Sequence, residues 1–168
     1  MRNIKITALF IFILGITYGF AQSKKAMVLS VEKHNNVSDE KRMELISFFQ
    51  SRSNSDYYVF PAIPSRKLRK ARKRAYIDKM DVLLLIDTQL FGPAKNFILI
   101  GKSGVYFKNG WVSANPGRHF IPFDEFKTKE IKIKGDEIGI GDLSIDITGS
   151  YAELEFIMTL LKDLQSKV

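Results

Sequence analysis

Cysteine is absent from this chain of 168 residues, histidine occurs twice and tryptophan once. Without cysteine there is no disulfide framework, thiolate nucleophile or cysteine-ligated zinc site, and two histidines leave little for a histidine-rich metal centre. Acidic residues are the scarcer charge, 18 against 26 lysines and arginines, for a net charge of +8. What is present is globular in composition: 45% of residues are hydrophobic and 26% charged, well away from the polar, highly charged balance of a disordered chain. The length suits one domain with a small appendage.

Residues 1–21 read as a secretory leader. Arg2 and Lys5 form a positive start, residues 6–16 are apolar apart from Thr7 and Gly15, and Gly19-Phe20-Ala21 places small residues where a signal peptidase cuts. Only 15 residues separate Lys5 from Ala21, against ~20 for a comfortable membrane span. No cysteine follows, so a lipoprotein is excluded. Removing the leader leaves 24 basic against 18 acidic residues, a basic domain expected in a periplasm or outside the cell. Asn36-Val37-Ser38 matches a glycosylation sequon, but Ser38 reads here as a helix cap.

Along the rest of the chain, residues 24–31 read as a short strand or extended lead-in. Ser38 caps a helix over residues 39–50, with Asp39 and Glu40 in its first turn and Met43, Ile46 and Phe49 at helical spacing. Tyr57-Tyr58-Val59-Phe60 is β-prone and ended by Pro61 and Pro64. Ser65 is a candidate cap for a second helix running to about Asp78. From Val82 the pattern changes to short strands separated by turn signals: residues 82–86, a turn at Gly92-Pro93, 97–100, a turn at Lys102-Ser103-Gly104, and 105–107. Asn109-Gly110 then predicts a hairpin into a strand at Trp111-Val112. Asn115-Pro116-Gly117 is a further turn, and residues 120–123 form an edge strand around Pro122. Ile131/Ile133, Ile138/Ile140 and Leu143/Ile145/Ile147 follow, with glycine turns between them. Ser150 and Glu153 match a capping box for a terminal helix with Leu154, Ile157, Met158, Leu161 and Leu164 on one face. The expected class is α+β: about seven short, mostly antiparallel strands capped by a C-terminal amphipathic helix, with an N-terminal helical extension.

That order of strands with a terminal helix resembles the pleckstrin-homology (PH) superfold. Asp87-Thr88, Phe91-Gly92 and Lys95 follow the D-T-x-x-F-G-x-x-K turn of bacterial PH-like domains, continuing into Phe97-Ile98-Leu99 and Gly104-Val105-Tyr106-Phe107. The resemblance covers roughly residues 80–165. It implies a barrel or sandwich over 79–168 and a binding or accessory role with no catalytic residues; the residues before it read as an N-terminal helical extension over 22–78 that carries a basic helix at 66–78.

The most distinctive local feature is the run from residue 66 to 74, in which Arg66, Lys67, Arg69, Lys70, Arg72, Lys73 and Arg74 are basic. On a helix, Leu68, Ala71, Ala75 and Tyr76 share one arc, with Arg72 intruding. A helix so charged needs a docking surface or acidic neighbours. Its free face can bind phosphates of phospholipid, lipopolysaccharide or nucleic acid; the other reading is a solvated or internally paired face. Nucleic acid is the least expected partner for an exported chain.

Other motifs are weaker. Gly101-Lys102-Ser103 is similar to the end of a P-loop but has Asn96 where the first glycine belongs and a strand where a helix is needed, so it reads as a turn. Gly139-Ile140-Gly141 also reads as turn glycine. Asp136, Glu137, Asp142 and Asp146 lack the ligand spacing of a calcium loop. His34 and His119 sit in no marked triad, and no G-x-S-x-G elbow exists. Trp111, near a hairpin tip, is a candidate exposed aromatic for a partner. The expectation is therefore an exported, non-enzymatic module without cofactor or metal, recognising a protein or peptide. The alternative is a binder of anionic surfaces through residues 66–74.

Overall fold

Val82-Leu83-Leu84-Leu85-Ile86 is apolar without alternation, the pattern of a strand covered on both faces, and that coverage organises the molecule. The computed structural model describes residues 36–52, 57–77, 81–88, 96–150 and 152–168. The leader, the stretch at 24–31, His34 and the Gly92-Pro93 turn lie outside the described residues.

Residues Asn35–Val168 form one unit. Its elements are helix α1 (Asp39–Ser51), strand β1 (Tyr57–Val59), helix α2 (Ser65–Ala75), and strands β2 (Val82–Asp87), β3 (Phe97–Gly101), β4 (Gly104–Asn109) and β5 (Gly117–Pro122). A single turn, α3 (Phe123–Phe126), leads to β6 (Ile131–Lys134), β7 (Glu137–Ile140), β8 (Leu143–Asp146) and helix α4 (Leu154–Gln165). Strands β1 to β5 make a five-stranded sheet in sequence order, and β6 to β8 a three-stranded one. Every pairing is antiparallel. The α+β class, the antiparallel pairing of neighbours and the terminal helix are as the sequence predicts. Strand β5, which contains Pro122, lies at an edge, where a residue without an N–H is tolerated.

The two faces of the large sheet follow from period two. Leu84, Ile86, Ile98, Ile100, Val105, Phe107 and Ile121 point into the main core, which they share with Ile138, Ile140 and Ile145 of the small sheet. Leu45, Ile46 and Phe49 of α1 and Ile157, Leu160, Leu161 and Leu164 of α4 complete it. Gln165 fastens the end of α4 by donating to the carbonyls of Phe126 and Lys129 at 2.6 and 2.7 Å. The opposite face carries Leu85, Phe97, Leu99 and Tyr106, all buried, and α2 covers it.

Several local expectations need correction. Ser38 does cap α1, accepting from the Lys41 N–H at 3.1 Å. Ser65, however, is the first residue of α2; Pro64 occupies the cap and makes no side-chain bond. That helix ends at Ala75 rather than Asp78, because Tyr76 turns left-handed at φ 56° and donates its N–H to the Arg72 carbonyl. Ser150 and Glu153 form no capping box. Ser150 accepts from Ala152 N–H within its own turn, and Glu153 is itself the cap residue of α4 without a side-chain bond. Gly139 is a strand residue, paired with Lys132 and Ser144. A Cβ there would lie 2.8 Å from Lys134 Cε, whose stem crosses it. Asn109-Gly110 does not turn directly into a strand. Residues 110–116 form a loop, and Trp111-Val112 lies in it.

Candidate functional site

The basic helix has one apolar side, and the sheet supplies its docking surface. Leu68, Ala71 and Ala75 are buried, and the two alanines allow a close approach to the outer face. Ile77 follows the left-handed Tyr76 and fills the space above Gly101, where a Cβ would meet its Cδ1 at 2.6 Å. Any side chain at Gly101 would push Ile77 out.

The run then divides by environment. Lys67 reaches Asp87 at the end of β2, Nζ to Oδ2 2.7 Å, with the carboxylate side chain only 6% exposed. Its ammonium also stands 5.0 Å from the centre of the Tyr58 ring. Burial works against the Lys67 charge, but the bonds to Asp87 and Tyr58 and their charges outweigh it, so its pKa lies above the ordinary lysine value. Arg72, which intrudes on the apolar arc, is accommodated by donating from Nε to the Ile77 carbonyl at 3.3 Å. Lys70 and Arg74 are half-buried and hold contacts of their own. Arg66, Arg69 and Lys73 are exposed. Their spacing of three and seven residues puts them on one stripe facing away from the sheet, and they make no ion pair among the described residues. Part of the basic run is thus internally engaged and part of it is exposed.

Strand register locates this helix. Asp87 pairs with Phe97, Phe97 with Lys108 and Lys108 with Arg118, which makes one row across four strands. Lys67 meets the Asp87 end of that row. At the other end Arg118 donates to the Tyr76 hydroxyl and lies over its ring, 5.0 Å from the centre. Thus the Lys67 ammonium and the Tyr76 hydroxyl reach the end of the sheet from which the 110–116 loop springs, while Ile77, just after α2, lies over Gly101 at the other end of β3.

That loop is held at its foot. The buried Asn109 amide donates to the carbonyls of Asn115 and Ser144, both at 2.7 Å, and its oxygen accepts from Asp146 N–H at 3.1 Å. The Asn115 side-chain oxygen accepts from Ser144 N–H at 2.9 Å. Glu137 accepts from Ala114 N–H and from the Ser144 hydroxyl. His119 bonds the Asn115 carbonyl at 3.0 Å and stacks on Phe107, which makes it a structural residue. The loop is so tied to β7 and β8, while at its tip Trp111 is 88% and Val112 77% exposed. Beside them is a cleft of about 550 Å³ lined by Asn96, Lys108, Pro116 and Asp146 among others.

The weaker motifs resolve structurally. Lys102-Ser103 is the turn between β3 and β4, and Ser103 shares a 2.6 Å hydrogen bond with the Tyr106 hydroxyl. Among the described residues, no three His, Asp or Glu side chains gather to hold a metal ion, and no helix is long and apolar enough to cross a membrane. Sequence reasoning missed the part played by four residues. Asp87 is the sole acid in an apolar strand, which was a usable signal for a buried partner. Val112 was hidden by the hairpin expectation. Asn109 and Asn115 gave no sign of acting together. No protein-family model, curated protein or solved structure matches the chain.

Proposed function

We propose that the chain is an exported, non-enzymatic binding module of PH-like architecture that engages anionic surfaces, phospholipid or lipopolysaccharide, through α2. Export rests on the leader pattern of residues 1–21. The architecture is supported by the seven strands from Val82 onward, closed by an amphipathic helix. The observation that carries the partner class is the stripe of Arg66, Arg69 and Lys73, exposed on a helix whose other cations are internally engaged. Each such cation near an anionic leaflet contributes ~1 kcal/mol, so the stripe supplies about 3 kcal/mol, roughly a hundredfold in partition. The attraction is screened within a Debye length of ~10 Å at 0.1 M salt.

Co-sedimentation with anionic vesicles at low and high salt tests this. Binding at low salt that is lost at high salt supports the reading; absence of binding at both overturns it. A second reading, a protein or peptide partner as first expected from the sequence, is favoured by one observation, the exposed Trp111 on its anchored loop. Aromatic anchors on rigid supports are common centres of protein interfaces.

A further inference from the structure

We infer that the Trp111–Val112 tip inserts into the headgroup region of an anionic phospholipid bilayer while α2 lies against the phosphates beside it. The inference rests on the anionic-surface reading and adds a second, apolar contact to it. Trp111 and Val112 are adjacent and more exposed than any other large apolar side chain among the described residues, the next being Met43 at 56%. The foot of the loop is held in place: Asn109 and Asn115 fix it by hydrogen bonds to β8. A side chain kept in water by a rigid foot loses little conformational entropy on insertion.

Position joins the tip to the basic helix. Lys108 and Arg118 pair one step in from Asn109 and Gly117, which flank the loop, and Arg118 touches Tyr76 directly after α2. One turn back lies Lys73. Arg118 thus links the strand that follows the loop to the residue that ends α2, the helix that carries the exposed cations. The indole has an apolar body and an N–H donor, the combination that settles at a membrane–water boundary. The cations are complementary to the phosphates of the same boundary. A zwitterionic bilayer lacks the net negative charge this stripe complements, which commits the occupant to an anionic one.

The chain has a single tryptophan, so its fluorescence reports this tip alone. The protein, purified as the producing cell processes it, is mixed with phosphatidylglycerol-containing vesicles, with pure phosphatidylcholine vesicles, and with vesicles carrying brominated acyl chains. Expected are a blue shift of emission with the anionic vesicles and quenching by the bromines. The double variant Trp111→Ala/Val112→Ser should lower co-sedimentation about tenfold at fixed salt with an unchanged far-UV circular dichroism spectrum. Vesicle binding with unshifted, unquenched emission would overturn insertion and leave the electrostatic contact of α2 standing. Absence of binding to any vesicle would overturn both. A blue shift on concentrating the protein without lipid would make a second copy the occupant and overturn the inference.

Discussion

Lys67 and Asp87 meet at 2.7 Å across the outer face of the sheet, and this contact turns one cation of a basic run into a structural residue. It pins the first turn of α2 to the end of β2 and fixes which cations face outward. Truncating Lys67 to methionine takes the ammonium away from a carboxylate that is almost wholly buried. A cost of about 3 kcal/mol is expected, read as a lower denaturation midpoint at unchanged slope. Lys67→Met combined with Asp87→Leu should return most of the loss, because replacing both charges removes the desolvation penalty as well.

Asn109 should behave as a keystone of the loop. Asn109→Ala removes two donated bonds and one accepted bond from a buried position and strands their partners. About 2–4 kcal/mol of stability should be lost. Amide exchange over residues 110–116 should accelerate more than exchange in β2 and β3, since the loop loses its foot while the sheet keeps its ladder.

Alkaline pH should weaken the outer face. Burial, helped by the charge of Asp81 and opposed by the Ser103 hydrogen bond, pushes the Tyr106 hydroxyl up to about 12, against ~10 in an unfolded chain. The folded state then holds this proton more tightly than the unfolded state. The stability it contributes is present below about pH 10 and is lost as pH rises towards about 12, roughly 3 kcal/mol in all. Lys67, whose pKa is also raised, acts in the same direction above its unfolded value of ~10.4. Tyr106→Phe should cost about 1 kcal/mol at neutral pH through the lost bond to Ser103. It should also flatten the decline measured between about pH 10 and 12.

Strands from Val82 onward were legible where turn residues bracketed apolar runs, and their antiparallel pairing with neighbours follows; the division into two sheets and the pairing of Tyr57–Val59 with β2 do not. Position within elements was less so. Ser150 and Glu153 carry capping-box chemistry, yet α4 starts after both, because Ser150 already closes a turn on Ala152. Asn109-Gly110 carries hairpin chemistry, yet Asn109 is drawn inward to bond Ser144 and Asp146, residues 35 and 37 positions away. Such long-range partners leave no local trace. The candidate site was half legible: the basic run and Trp111 stand out in the sequence, whereas the Lys67–Asp87 and Arg118–Tyr76 contacts that place α2 on the sheet depend on strand register.

The exposed stripe should be dispensable for folding. Replacing Arg66, Arg69 and Lys73 together by glutamine should shift stability by less than about 0.5 kcal/mol per site, as expected for exposed positions without partners.

The most direct measurement is therefore co-sedimentation of this triple variant with anionic vesicles at low salt, beside the unaltered protein and Lys67→Gln. The expected result is loss of about a hundredfold in partition for the triple variant, with Lys67→Gln retaining binding in proportion to its folded fraction. A stable triple variant that still binds as the unaltered protein does would contradict the assignment of α2 as the working surface.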